Sequence, residues 1–146
     1  MRNIKIERVV AAPQSSVWAV LADYPNISDW NDGVLNSFAI GDQSEGVGAV
    51  RQTELVPDGA MRMRETVTEW VADERMVVAI DQVEQQPVKE ATMTFALAGT
   101  GDTTAVTMGY DYEPVDGVPG PMLDEQFSVG FNGFVDSLER AAKARI

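Results

Sequence analysis

The apolar pattern of this chain changes from a strand's period to a helix's near Pro114, and that change limits the folds open to it. Upstream, Ala91, Met93, Phe95 and Leu97 alternate with Thr92, Thr94 and Ala96. After the turn Gly99-Thr100-Gly101-Asp102 the alternation resumes with Val106, Met108, Tyr110 and Tyr112. A period of two is that of a strand with one buried face. Downstream, Leu123, Phe127, Phe131, Phe134 and Leu138 recur at helical spacing, as in a helix with one apolar stripe. The chain must therefore pack one long helix on a sheet.

The rest of the sequence supplies the remaining strands. Ile4 to Val10 reads as a first strand. Pro13 then opens a helix, proline being well placed at a first helical position, with Val17, Trp18, Val20 and Leu21 on its apolar side. Tyr24-Pro25 stops it, because the residue before proline avoids helical angles. A second short helix is expected around Ser28 to Asn31, ended by Asp32-Gly33. Strands follow at Val34 to Ile40, Ala49 to Val56, Met61 to Thr68 and Arg75 to Gln82. Short turns between them imply an antiparallel sheet. The expected class is α+β: seven strands, two short helices after the first, and a long C-terminal helix, in one domain over residues 1–146. A curved sheet around one helix leaves an apolar cavity between them. That helix should begin near Pro121, with Asp124 and Glu125 in its first turn and Arg140, Lys143 and Arg145 in its last, as suits the helix dipole. Gly130 and Gly133 would each cost about 1 kcal/mol relative to alanine. They call for a compensation, either close approach to a strand or room for a ligand.

The chain has no cysteine and no histidine. Disulfides, thiolate nucleophiles, the common zinc and copper sites and a Ser-His-Asp triad are thereby excluded. No metal site and no cofactor is expected, and any catalysis must use Glu, Asp, Lys, Arg, Tyr, Ser or backbone groups. The net charge of −12 opposes binding to nucleic acid and to anionic lipid surfaces. No apolar run is long enough to span a bilayer, and the first residues, Met1-Arg2-Asn3-Ile4-Lys5, lack the apolar stretch of a secretory signal. A cytoplasmic protein without stable membrane insertion, a monomer or weak homodimer, is expected. Gly46-Val47-Gly48 precedes a strand rather than a helix and is no nucleotide loop. The Asp-Gly pairs at 32–33, 58–59 and 116–117 are turn chemistry.

Order and residues together resemble the START-like (SRPBCC) superfamily, specifically its polyketide cyclase/dehydrase and lipid-transport branch. The resemblance is carried by Ile6 to Tyr24 with Ala12-Pro13, Val17-Trp18 and Leu21, by Tyr24-Pro25 to Trp30-Asn31, by Gly48-Ala49-Val50-Arg51, and by Arg64-Glu65-Thr66-Val67-Thr68-Glu69-Trp70. The Thr104 to Pro114 strand and the Phe127 to Arg140 helix match as well. The resemblance implies a helix-grip fold, in which the space between helix and sheet holds sterols, lipids, hormones or aromatic polyketides. A glutamate in the fourth strand and an arginine in the third often lie in that space, and Glu65 and Arg51 hold the matching positions. Other relatives activate a chaperone or act as toxins paired with an antitoxin.

Alternation places Glu65 among Met61, Met63 and Val67, where an unpaired carboxylate is costly. It is either a polar anchor or general acid/base for a ligand, or one half of a structural ion pair with Arg51, or turned to solvent by a bulge. The resemblance makes Arg51 a group that binds a ligand oxygen, or Glu65's partner. Glu65, Arg51 and Tyr110 are the catalytic candidates if chemistry occurs. Met63, Met93, Met108, Phe95, Phe127 and Phe131 are the expected cavity lining, the methionines adapting to varied ligands; plain core packing is the competing account for each. Tyr110 and Tyr112 can aim hydroxyls at a ligand, Trp30 can line the entrance or pack the short helix, and Lys89 can sit at a cavity mouth or in solvent. Three functions follow: binding or transport of a small hydrophobic or aromatic ligand, a polyketide aromatase/cyclase or dehydratase using Arg51 and Glu65, and a regulatory or toxin-like interaction protein.

Overall fold

The computed structural model describes residues 1–84 and 87–146. Its elements run β1 (Arg2–Val10), α1 (Gln14–Ala22), a 3-10 helix (Tyr24–Asp29), β2 (Val34–Ile40), β3 (Val50–Leu55), β4 (Arg62–Val71), β5 (Arg75–Glu84), β6 (Val88–Gly99), β7 (Thr104–Pro114) and α2 (Gly120–Lys143). The seven strands form one antiparallel sheet in the order β1-β7-β6-β5-β4-β3-β2. Consecutive strands from β2 to β7 are thus neighbours, and β1 returns to pair with β7. The register slips between Val34 and Asn36, at two places in the β4–β5 ladder, and between Val88 and Glu90. Such bulges bend and twist a sheet, and the curved sheet with its C-terminal helix is the START-like helix-grip arrangement.

The alternation read from the sequence is the alternation of burial. On β6 the buried residues are Ala91, Met93, Phe95 and Leu97, and on β7 Val106, Met108, Tyr110 and Tyr112. These line the concave face. The two halves of α2 meet that face differently. Phe134, Val135, Leu138 and Ala142 in the C-terminal half are buried, whereas in the N-terminal half Leu123 alone is, among the described residues, and Phe127 and Phe131 are half-buried. One half of the helix seals the core and the other stands off the sheet.

Three details differ from expectation, although the start of the last helix near Pro121 is as expected. The second short helix begins at Tyr24 rather than Ser28, since Pro25 fits its first turn as well as it ends α1. Helix α2 begins at Gly120, and no acidic residue lies in its first turn. Asp124 falls in the next turn and turns toward the sheet, where it takes Arg2 of β1 in an ion pair at 2.6 Å. At the start of β6 the bulge leaves Val88 buried and turns Lys89 outward, where it pairs with Asp116 at 3.0 Å. Lys89 is therefore not at a cavity mouth.

Close approach does not explain the helix glycines. A Cβ built at Gly130 or Gly133 has nothing within 4 Å. Gly130→Ala and Gly133→Ala are each expected to raise stability by up to about 1 kcal/mol, read from urea unfolding. A fall in stability at either position would show that a close contact forms there in solution.

Candidate functional site

Between the N-terminal half of α2 and strands β3 to β7 lies a cavity of about 300 Å³. Its ceiling is Leu123, Phe127, Gly130, Phe131 and Phe134 of α2, and its floor includes Met63, Ile80, Met93 and Tyr110. Gly130 opens onto this space, so of the two compensations expected for the glycines, room is the one present there.

The polar end is built by β3 and β4. Their register sets Arg51 directly opposite Glu65, and both side chains are almost wholly buried, at 4% and 2% exposure. Arg51 Nη2 donates to Glu65 Oε1 at 3.1 Å, and Thr53 Oγ1 donates to Oε2 at 2.7 Å. Arg51 Nη1 donates to the Tyr24 carbonyl at 2.9 Å, and the guanidinium lies 4.0 Å from the centre of the Tyr24 ring. The Tyr24 hydroxyl in turn donates to the backbone carbonyl of Glu65 at 2.9 Å. Burying either charge alone would be prohibitive, so each is matched by charge, hydrogen bonds or an aromatic face. Only Nε of Arg51, sealed from solvent, lacks a partner in this group. The first two accounts of Glu65 are thus not exclusive: it is paired with Arg51 and it lines the cavity.

Tyr110 lines the same space at 3% exposure. Its ring meets Phe131 edge-on at 4.8 Å and Phe127 at 5.2 Å, and stacks on Tyr112 at 5.4 Å. Its hydroxyl has no hydrogen-bond partner among the described residues. Burial first, and then the negative charge of Glu65, push the phenol above its ordinary range. Tyr112 instead donates its hydroxyl to Asp124 and to the Gly120 carbonyl. Burial, followed by that carboxylate, pushes Tyr112 up to about 12. Hydrogen bonds from Arg2 and then from Tyr112 hold Asp124 below the usual carboxylate range. This cluster ties the N-terminal half of α2 to both strands at that edge.

These shifts predict an alkaline behaviour. The chain has three tyrosines, and all are raised, Tyr24 chiefly by burial. A phenol whose folded pKa exceeds its unfolded value near 10 stabilises the fold below pH 10, and that contribution is lost as pH climbs toward the folded value. For Tyr112 the window is pH 10 to about 12. Phenolate absorbance at 295 nm should therefore stay flat near pH 10 and rise only above it, as Tyr112 ionises or the fold opens. A reversible tyrosine titration near pH 10 in the folded protein would contradict the burial described here.

Seven of the expected residues come together in this cavity: Arg51, Met63, Glu65, Met93, Tyr110, Phe127 and Phe131. Three do not. Phe95 stacks on Phe134 at 5.3 Å, and half-buried Trp30 meets the same ring edge-on at 5.3 Å. Phe134 faces the cavity, with both rings packed on it outside the lining. Met108, paired with Phe95 across the strands, is buried two residues beyond Tyr110 on β7. All three lie level with the half of α2 that seals the core. Alternation names the inner face but not the point along it where the helix lifts away. Thr53, Asn31, Tyr24 and Leu123 were missed as contributors. Thr53, two residues from Arg51 on the same face, was within reach of the alternation rule. Tyr24 reads locally as a helix stop, and nothing local signals that its ring supports an arginine 27 residues later.

Comparison with known proteins agrees with this architecture. The chain superposes on a START superfamily protein from Mycobacterium smegmatis with a TM-score of 0.84 at 15% identity, covering 99% of each chain. It matches the ZhuI aromatase/cyclase from Streptomyces sp. R1128 with a TM-score of 0.80 at 18% identity, covering 99% of this chain and 94% of that one. These likenesses establish a START-like fold. The family model for polyketide cyclase/dehydrase and lipid transport matches residues 1–145, and the chain belongs to that family. No curated protein matches the sequence. Among the described residues, no helix is long and apolar enough to cross a membrane.

Proposed function

We propose that the chain binds a small hydrophobic or aromatic molecule, lipid- or polyketide-like, in the cavity under α2. The observation that carries this is the space itself: about 300 Å³, at the lower end of ligand pockets at roughly 300–1,000 Å³, with apolar walls and a few polar groups at one end. A core without a ligand to hold is normally packed without such voids. Arg51, Glu65 and Tyr110 would orient the ligand, and Met63, Met93, Phe127 and Phe131 would cover its apolar body.

The second reading, an aromatase/cyclase or dehydratase, is favoured by one feature. Tyr110 is a buried phenol without a protein partner in the same cavity as an acid and a base. Against it, Arg51 and Glu65 are already engaged with each other, which leaves the arginine poorly placed to polarise a carbonyl. Native mass spectrometry of the purified protein tests the leading reading. A copurifying small molecule, displaced by an excess of an apolar fluorescent probe, is expected. Neither bound mass nor probe binding would remove the ligand reading and leave the interaction-protein alternative.

A further inference from the structure

Arg51 and Glu65 are the only charged side chains among the described residues that line the cavity, and each neutralises the other at 3.1 Å. Thr53 occupies the second carboxylate oxygen. Of the five N–H groups of Arg51, one on each Nη is spent on Tyr24 and Glu65, and the one at Nε is closed off from open space. The cavity therefore contains a cation whose charge is already matched, and a carboxylate that a ligand must approach. Beside the ion pair the Tyr110 hydroxyl stands free, on a side chain 97% buried, since its exposure is 3%. Burial and the neighbouring Glu65 charge keep it protonated at neutral pH, so it is a donor in search of an acceptor. Size adds a bound. An engineered cavity of about 150 Å³ holds one benzene, and this one is about 300 Å³.

Resting on the ligand-binding reading, we propose that the cavity selects by charge: it takes an uncharged molecule of about two fused rings bearing one acceptor oxygen, such as a ketone that accepts from Tyr110, and rejects the matching carboxylate. A carboxylate would lose its hydration, meet the like charge of Glu65 and find the arginine already matched by that residue. A ketone loses less on leaving water and satisfies the one unpartnered hydroxyl, whose isolation is itself unfavourable. Glu65 would act as a filter against anions rather than as an anchor.

Three naphthalenes of nearly one shape test this at pH 7 by titration calorimetry: 2-acetylnaphthalene, 2-ethylnaphthalene and 2-naphthoate. The expected order of affinity is ketone, then hydrocarbon, then carboxylate, with the ketone ahead of the carboxylate by on the order of tenfold or more. Tyr110→Phe should bring the ketone down to the level of the hydrocarbon and leave the hydrocarbon unchanged. Glu65→Gln should uncover the guanidinium and invert the preference between ketone and carboxylate, with 2-naphthoate raising the melting temperature of that variant most. Equal or tighter binding of 2-naphthoate by the unaltered protein overturns the charge filter, as does a Tyr110→Phe variant that keeps its preference for the ketone over the hydrocarbon. Failure of all three, the hydrocarbon included, overturns the ligand-binding reading beneath it.

Discussion

Arg51→Met is expected to lower stability by about 3–5 kcal/mol. The reason is asymmetry. Removing the arginine leaves Glu65 buried at 2% exposure with Thr53 as its remaining side-chain partner, and leaves the face of Tyr24 uncovered. Combining it with Glu65→Met should restore most of the loss, because replacing both members of a buried pair with apolar groups of similar volume is close to neutral. Urea unfolding of the two single variants and the double one gives the coupling. A double variant as unstable as the summed singles would mean that the two residues do not act as a pair. The same double variant separates stability from binding. The double variant should keep its affinity for the hydrocarbon and, with no cation left to meet a carboxylate, still bind the ketone ahead of 2-naphthoate.

Much of this was legible in the sequence because the strands carry a clean period of two. Once Met93 and Tyr110 are on the inner face, their strand neighbours follow, and the register that places Met93 opposite Tyr110 needs only a short turn between β6 and β7. Glu65 was legible for the same reason, standing as a carboxylate in an apolar row. What was not legible depends on departures from periodicity. The bulge that turns Lys89 out, the start of α2 that moves Asp124 into the second turn, and the lift of the helix that spares Met63 but covers Met108 are tertiary. They arise where several elements compete for one space, and no single segment encodes them. Arg51 is an intermediate case: its strand has no clear alternation, and the pairing of β3 with β4 fixes its direction.

The lift of the helix yields the second large effect. Phe95→Ala should cost about 3–5 kcal/mol, since that ring is 1% exposed and stacked on Phe134 in a filled part of the core. Phe131→Ala should cost clearly less, roughly 1–2 kcal/mol, because its half-buried ring already borders open space and its removal enlarges a void rather than creating one. The contrast is informative because the two side chains are chemically identical and one meets a filled core while the other borders open space. Adding saturating 2-ethylnaphthalene should widen the cost of Phe131→Ala, as the ligand supplies the missing contacts to the intact ring and stabilises that form by mass action; the cost of Phe95→Ala should not move. If Phe131→Ala costs as much as Phe95→Ala in ligand-free protein, then α2 rests on the sheet in solution along its whole length. The cavity would then be closed, and with it the physical basis for a ligand.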